Sequence, residues 1–223
     1  MSRFIICLVC LFLLIPSAYG SSKYTQVEKD NAIEGLLDRK WRHRLITRKY
    51  VTRLVEEAIE VLSKEENSWL PLHDLLGLAM NESDLHWWIE TGPKSSADCG
   101  ITQNHIPLFA KTYWERRALC ERLKKSTKLS FEYAMKELNI IKRRWCTSSR
   151  VKSNKPEDMY RCIFNVYNQG PRYILGNPVK NAHRNRYWLR NKCFATSVLL
   201  GRGPKIDCRR ALTLDWINQV FQR

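Results

Sequence analysis

The sequence predicts a mainly helical domain with a small loop or β region, exported from the cytoplasm and held by disulfide bonds. Three observations carry this prediction: an apolar N-terminal segment of secretory type, apolar residues recurring at helical spacing over most of the chain, and an even number of cysteines after that segment. At 223 residues the chain can form one domain with a proper core and appended helices.

Residues 1–20 have the features of a secretory signal. Arg3 precedes the apolar run Phe4–Ile15, and Gly20 supplies the small residue after which we expect cleavage. The apolar run is short against the roughly 20 residues that span a bilayer, although an uncleaved anchor remains the alternative. We therefore expect a secreted or periplasmic protein.

The exported chain is strongly basic. Its formal charge falls from +16 to +15 on cleavage, because residues 1–20 contain one Arg and no acidic residue. The positive residues form many small groups, such as Arg39-Lys40 and Arg209-Arg210, and this distribution favours a broad positive field. An anionic membrane or wall surface is the natural partner. Nucleic acid is the rival, but export argues against it, so we expect no nucleic-acid partner.

Six cysteines follow the signal, and they are candidates for up to three disulfides. They are Cys99, Cys120, Cys146, Cys162, Cys193 and Cys208. A zinc site would normally contain a close pair such as Cys-x-x-Cys, and no two of these six cysteines lie that near each other, so disulfides are favoured over metal. Fifteen pairings remain open.

Apolar spacing predicts most of the chain to be helical. The predicted helices cover residues 27–45, 50–62, 70–82, 107–125, 130–146, 157–168, 185–200 and 209–221. Residues 83–98 lack helical periodicity and are predicted as a loop or short strands. Residues 147–155 are predicted as a basic loop, and Gly201 to Pro204 as a break.

Glu82 ends the apolar helix predicted over 70–82, which Pro71 would start. The negative end of a helix dipole and apolar neighbours both disfavour an ionised carboxylate. A raised pKa is what a general acid needs near neutral pH. A lone glutamate at a helix end is more often an ordinary solvated residue, so this position needs support from elsewhere.

Three motifs in order supply that support. They are Glu82-Ser83, the segment 96–103 (Ser-Ala-Asp-Cys-Gly-Ile-Thr-Gln) and the segment 167–171 (Tyr-Asn-Gln-Gly-Pro). Their order resembles lysozyme-like lytic transglycosylases of the soluble-lytic type, and the middle motif is similar to that of animal-type lysozymes and of secretion-system and phage transglycosylases. Cys99 and Thr102 depart from the motif, where Tyr and Met or Leu are common.

The resemblance implies a lysozyme-like α+β fold whose catalytic domain covers 70–223, with a helical extension over 21–69 packed on it. It implies cleavage of the MurNAc-GlcNAc β-1,4 bond in peptidoglycan glycan strands by a monomer without a cofactor or metal. Glu82 would act first as acid and then as base, leaving a 1,6-anhydro end. The implied substrate-binding residues are Ser83, Gly100, Gln103, Tyr167 and Asn168.

Asp98 is the uncertain catalytic candidate. Retaining glycosidases pair the acid with a second carboxylate about 5 to 5.5 Å away, and inverting ones need about 6.5 to 9.5 Å. Hen-type lysozyme contains such a pair, and Asp98 falls on the matching position of its motif. If Asp98 faces Glu82, a hydrolytic muramidase is the alternative; if it only caps a turn before Gly100, it has no chemical role.

Other interpretations remain. A catalytically inactive, cationic wall-binding or antimicrobial protein would share the charge and the fold. Cys99 with His105 is a weak nucleophile pair, because an exported cysteine is more often bridged. Trp87 and Trp88 suit either the core or the mouth of a sugar cleft.

Overall fold

The computed structural model describes residues 23–37, 46–92, 97–153, 155–170, 186–202 and Cys208. Eight α-helices lie in these ranges: α1 (Gln26–Leu37), α2 (Arg48–Leu62), α3 (Leu72–Ser83), α4 (Tyr113–Lys125), α5 (Thr127–Arg144), α6 (Ser148–Val151), α7 (Pro156–Gln169) and α8 (Arg186–Leu199). Three short strands form one antiparallel sheet in the order β1 (Glu90–Thr91), β2 (Asp98–Cys99) and β3 (Asn104–His105). The mainly helical fold with a small β region after the third helix is confirmed.

Helix α3 lies in the centre of the main core. Leu75, Leu76 and Leu78 have no exposed surface, so the helix is apolar on nearly every side. Its most extensive packing is against α8, and Gly77 permits the close approach there. A Cβ added at Gly77 would lie 2.8 Å from the backbone nitrogen of Ala195. The helix is therefore a rigid support for whatever its last turn carries.

Helices α1 and α2 contribute to the same core as α3. Thr47 starts α2 by accepting a hydrogen bond from the Tyr50 amide, and the apolar positions Val51, Leu54 and Val55 are buried as their helical spacing predicts. The division at residues 21–69 and 70–223 stays a prediction. The predicted signal, residues 1–20, lies outside the described residues.

The sheet is attached to a second, smaller apolar cluster that α4 covers. Thr91 and His105 both pair with Asp98 in the strand register. The turn between β2 and β3 uses two left-handed backbone conformations, at Gly100 (φ 83°) and Gln103 (φ 49°). This tight turn points the middle motif toward the end of α3.

Helix ends differ from the sequence prediction where capping residues decide them. Thr112 and Glu115 form a capping box, so α4 begins at Tyr113 instead of 107. Ser126 caps α5, which therefore begins at Thr127 instead of 130. The basic loop predicted over 147–155 is wrong in part, because α6 forms within it.

Two further predicted segments reach beyond the described ranges. Helix α1 ends at Leu37 in the structure, and residues 38–45 of the predicted 27–45 helix lie outside the described residues. The predicted helix over 209–221 also lies outside them.

All six cysteines that follow the predicted signal are paired, as Cys99–Cys120, Cys146–Cys162 and Cys193–Cys208. The predicted disulfides are confirmed, and thiolate zinc ligation by these residues is excluded. The bonds tie β2 to α4, the end of α5 to α7, and α8 to Cys208. Each closes a loop of 15 to 21 residues, a length for which chain entropy predicts about 3 kcal/mol of stabilisation. Three disulfides fit a protein that folds outside the reducing cytoplasm. None of the described helices has the length and apolar character needed to cross a bilayer.

Candidate active site

Glu82 lies in the last turn of α3, where the helix leaves the core. Asp84 caps the C-terminal end of the helix. Its backbone is left-handed (φ 56°), and its N–H donates a hydrogen bond to the Met80 carbonyl oxygen. The side chain of Glu82 is partly buried and borders a cleft of about 640 Å³. A carboxyl group is thus held at the mouth of a cavity by an immobile helix.

The pKa of the Glu82 carboxyl is raised to about 8. Burial is the main cause, and the nearby carboxylates of Asp98 and Glu137 add to it. The Tyr187 hydroxyl donates a hydrogen bond to Glu82 Oε1, and this bond lowers the pKa against the effect of burial. Glu82 is accordingly protonated at neutral pH, the state that a general acid requires.

The cleft lies between the sheet, α5 and α7. The sheet side contributes Thr91, Asp98, Gln103 and His105; α5 and its end contribute Glu137, Ile140, Ile141 and Trp145; α7 and its end contribute Val166, Tyr167, Asn168 and Gly170. The sheet side is polar, whereas α5 and α7 contribute both apolar side chains and the polar side chains of Glu137 and Asn168. Such a mixed lining suits a sugar, which presents both hydroxyl edges and apolar ring faces.

Asp98 and Glu82 line the same cleft, as the sequence motif suggested. Asp98 Oδ1 lies 2.9 Å from His105 Nδ1, across the β2–β3 pair. Both side chains are exposed, Asp98 to 41% and His105 to 52%. The hydrogen bond that His105 donates to the Asp98 carboxylate raises the pKa of His105. Asp98 is therefore a rim residue with one oxygen engaged by a basic partner.

Ser83 and Gly100 lie behind the cleft wall. Ser83 is 3% exposed, and its hydroxyl is 2.6 Å from the Ile101 carbonyl oxygen. Gly100 is buried, and a Cβ there would come within 2.8 Å of Ser130 Oγ. Neither residue contributes to the cleft lining. Both hold the turn that presents the residues around them.

Gln103 borders the cleft, but its amide is used internally. Its Nε2 donates to the carbonyl oxygens of Gly100 (2.8 Å) and Ile89 (3.2 Å), and its Oε1 accepts a hydrogen bond from the Thr91 hydroxyl (2.7 Å). The side chain thus ties the turn to β1. It offers the cleft a surface, with little hydrogen-bonding capacity to spare.

Tyr167 joins the third motif to the second. Its hydroxyl donates to the Thr102 carbonyl oxygen at 2.7 Å, and burial raises the pKa of this phenol well above its usual value. Asn168 is exposed and borders the cleft next to it. The three motifs therefore meet in space.

Glu137 was missed by the sequence reasoning. It is 7% exposed, it lines the cleft, and its Oε2 has no hydrogen-bond partner in the described part of the chain. Burial raises the pKa of Glu137 to about 7, although the hydrogen bond that the His105 backbone amide donates to it acts to lower the pKa. Its position carried a signal, because Glu137 lies three residues after Ala134 and four before Ile141, on the apolar face of α5.

Tyr187 was also missed, and its sequence context offered no comparable signal. It lies in α8, 105 residues after the glutamate that it contacts, among buried apolar neighbours. Apolar periodicity predicts that such a tyrosine is buried. It does not predict the acid to which the hydroxyl donates.

Three other residues that the sequence singled out, Cys99, Trp87 and Trp88, do not line the cleft. Cys99 is oxidised with Cys120 and is not a nucleophile. Trp87 packs against the core, with its ring centroid 4.8 Å from that of Tyr50 and the two rings tilted at 45°, while Trp88 is 38% exposed beside it. Neither tryptophan lines the cleft.

No protein-family model, curated protein or solved structure matches this chain. The resemblance to lysozyme-like transglycosylases therefore depends on the three sequence motifs alone.

Proposed function

We propose that the protein is an exported peptidoglycan-cleaving enzyme that cuts the MurNAc-GlcNAc β-1,4 bond as a lytic transglycosylase. The observation that carries this proposal is Glu82: a protonated carboxyl group on a rigid helix, oriented by Tyr187, at the edge of a cleft of saccharide size. The disulfides agree with an exported protein, and the positive charge with an anionic wall.

In the proposed reaction Glu82 first donates its proton to the glycosidic oxygen as the C1–O bond breaks. The resulting carboxylate then accepts the proton of the sugar's own 6-hydroxyl, whose oxygen bonds to C1. The product is a 1,6-anhydro end, no water is consumed, and Glu82 is protonated again. A pKa near 8 suits a group that must both donate and recover a proton near neutral pH.

A hydrolytic muramidase is the second candidate, and the observation that favours it is that Asp98 borders the same cleft as Glu82. Asp98 would then act as nucleophile or as the base for water. The engagement of Asp98 by His105 makes it a poorer nucleophile, and for this reason we place transglycosylation first.

Mass spectrometry of the products from purified peptidoglycan separates these reactions. We expect 1,6-anhydro ends from the wild-type protein, near-complete loss of turnover in Glu82→Gln, and retained turnover in Asp98→Asn. Reducing ends without anhydro sugar, together with loss of activity in Asp98→Asn, would establish hydrolysis instead. If Glu82→Gln lyses cells as well as wild type does, the protein acts through its charge as a cationic wall-binding or antimicrobial protein, and both enzymatic proposals are wrong.

A further inference from the structure

A second cavity, of about 390 Å³, adjoins the cleft on the α8 side of Glu82. Glu82 and Asn168 line both cavities, so the two spaces meet at the proposed acid. A polymer cut at Glu82 must extend to both sides of it. The second cavity is therefore placed to receive the part of the substrate that lies beyond the scissile bond.

The two cavities differ in charge. The cleft carries the carboxyl groups of Asp98 and Glu137, whereas the second cavity is lined by Arg186 and Arg190. The two arginines are four residues apart on α8 and so share one face of the helix. In the described part of the chain, no ion pair joins either arginine to an acidic side chain.

Arg190 supplies an independent observation that points to a ligand. Its Nε is buried and has no hydrogen-bond acceptor in the described part of the chain. A buried, unpaired donor on a charged group is costly, and a ligand that supplies an acceptor recovers that free energy. The planar guanidinium group matches a carboxylate, which can accept two parallel hydrogen bonds from it.

From this geometry we infer that the second cavity is a subsite for a carboxylate group of the substrate, held by Arg190 with Arg186 at its entrance. The inference rests on the proposed function. Peptidoglycan strands carry carboxylates on the peptide stems that branch from the lactyl group of MurNAc. The subsite would seat such a stem while the sugars occupy the cleft beyond Glu82.

The test is binding of soluble glycan strands that carry stems, compared with the same strands after their carboxyl groups are converted to neutral methyl amides. Calorimetry in the Glu82→Gln background keeps the strands intact. We expect Arg190→Gln to raise the Kd for native strands about tenfold, the effect of losing one charge-assisted contact. The protein that keeps Arg190 should bind amidated strands about tenfold more weakly than native ones. For amidated strands, Arg190→Gln should not raise the Kd any further.

Arg122→Gln is the matched control, since it removes the same charge from an exposed position on α4, away from both cavities. If the control weakens binding as much as Arg190→Gln does, long-range charge explains the effect and the subsite is rejected. The subsite is also rejected if amidation leaves the Kd unchanged. Should Arg190→Gln fail to fold, Arg186→Gln at the exposed position replaces it, and its Kd values for native and amidated strands are compared in the same way.

The subsite and the proposed function can fail separately. Wild-type protein that binds native strands more tightly than amidated ones without cutting either would keep the subsite and refute the enzyme. Wild-type protein that cuts both equally well, with equal Kd, would keep the enzyme and refute the subsite.

Discussion

Glu82→Gln should make the folded protein more stable above neutral pH, while abolishing turnover. The substitution replaces a carboxyl group that must ionise in a partly buried place with a neutral amide of the same shape. The amide oxygen can still accept the hydrogen bond from Tyr187. The difference between variant and wild type therefore reports the cost of the Glu82 charge in the folded state.

The magnitude follows from the pKa of Glu82, which is about 8 in the folded protein against an ordinary value of 4.5. Because the folded state holds this proton more tightly, wild-type stability declines as the pH rises from about 4.5, and the decline is complete above about 8. Each pKa unit corresponds to about 1.4 kcal/mol. The full cost is then about 3 to 5 kcal/mol, a large part of the 5 to 15 kcal/mol that stabilises a typical domain.

Guanidinium unfolding with the disulfides intact, at pH 4.5 and pH 8.5, measures this difference. We expect wild type and Glu82→Gln to have similar free energies of unfolding at pH 4.5. At pH 8.5 the variant should exceed wild type by about 3 to 5 kcal/mol. Titrating groups that do not interact with Glu82 cancel, because they are present in both proteins.

Two further variants define the outcome. Glu137→Gln should also stabilise the protein at high pH but with a smaller gain, about 2 to 4 kcal/mol, since the pKa of Glu137 is about 7. Glu66→Gln removes an exposed carboxyl group and should leave the pH dependence as it is in wild type. If Glu82→Gln follows wild type at both pH values, Glu82 ionises freely in the folded state and the proposed acid lacks its physical basis.

Tyr187→Phe should shift the high-pH limb of the activity profile to higher pH by about one unit, because the hydrogen bond that lowers the pKa of Glu82 is lost. Measuring kcat/KM from pH 5 to 10 tests this. A limb at the wild-type pH would contradict the contact between Tyr187 and Glu82. Gly77→Ala should cost about 1 to 3 kcal/mol, because the new Cβ meets the backbone nitrogen of Ala195, which cannot swing aside as a side chain can. Guanidinium unfolding measures that loss, and a value below about 0.5 kcal/mol would show that α3 and α8 separate easily.

Much of the fold followed from local patterns. Apolar residues located α2 and α3 to within two residues at each end, because burial of apolar side chains dominates in helices of this length. Helix starts such as the one capped by Thr112 depend on side-chain hydrogen bonds, which apolar spacing does not register. The short helix α6 was missed for a related reason, since none of its four residues is buried.

The site was predictable only in part, because its chemistry depends on contacts between distant segments. Motif order identified Glu82, Asp98 and Tyr167, and all three border one cleft. It could not show that His105 engages Asp98, because that pair depends on the register of two strands of two residues each. Glu137 is different: a charged residue on the apolar face of α5 is visible in the sequence, and only a comparison of charge with periodicity was needed to find it.

The contacts between the motifs change which residues should meet the substrate. Ser83 and Tyr167 both donate to the middle of the β2–β3 turn, to the neighbouring carbonyl oxygens of Ile101 and Thr102. The Gln103 amide already forms hydrogen bonds with the turn and with β1. A polar group already satisfied inside the protein has little to gain from a ligand, so these residues fix the shape of the cleft. Hydrogen bonds to the substrate then come from groups with capacity left. Among them are Glu137 Oε2 in the cleft and Arg190 Nε beyond Glu82, which have no hydrogen-bond partner in the described part of the chain.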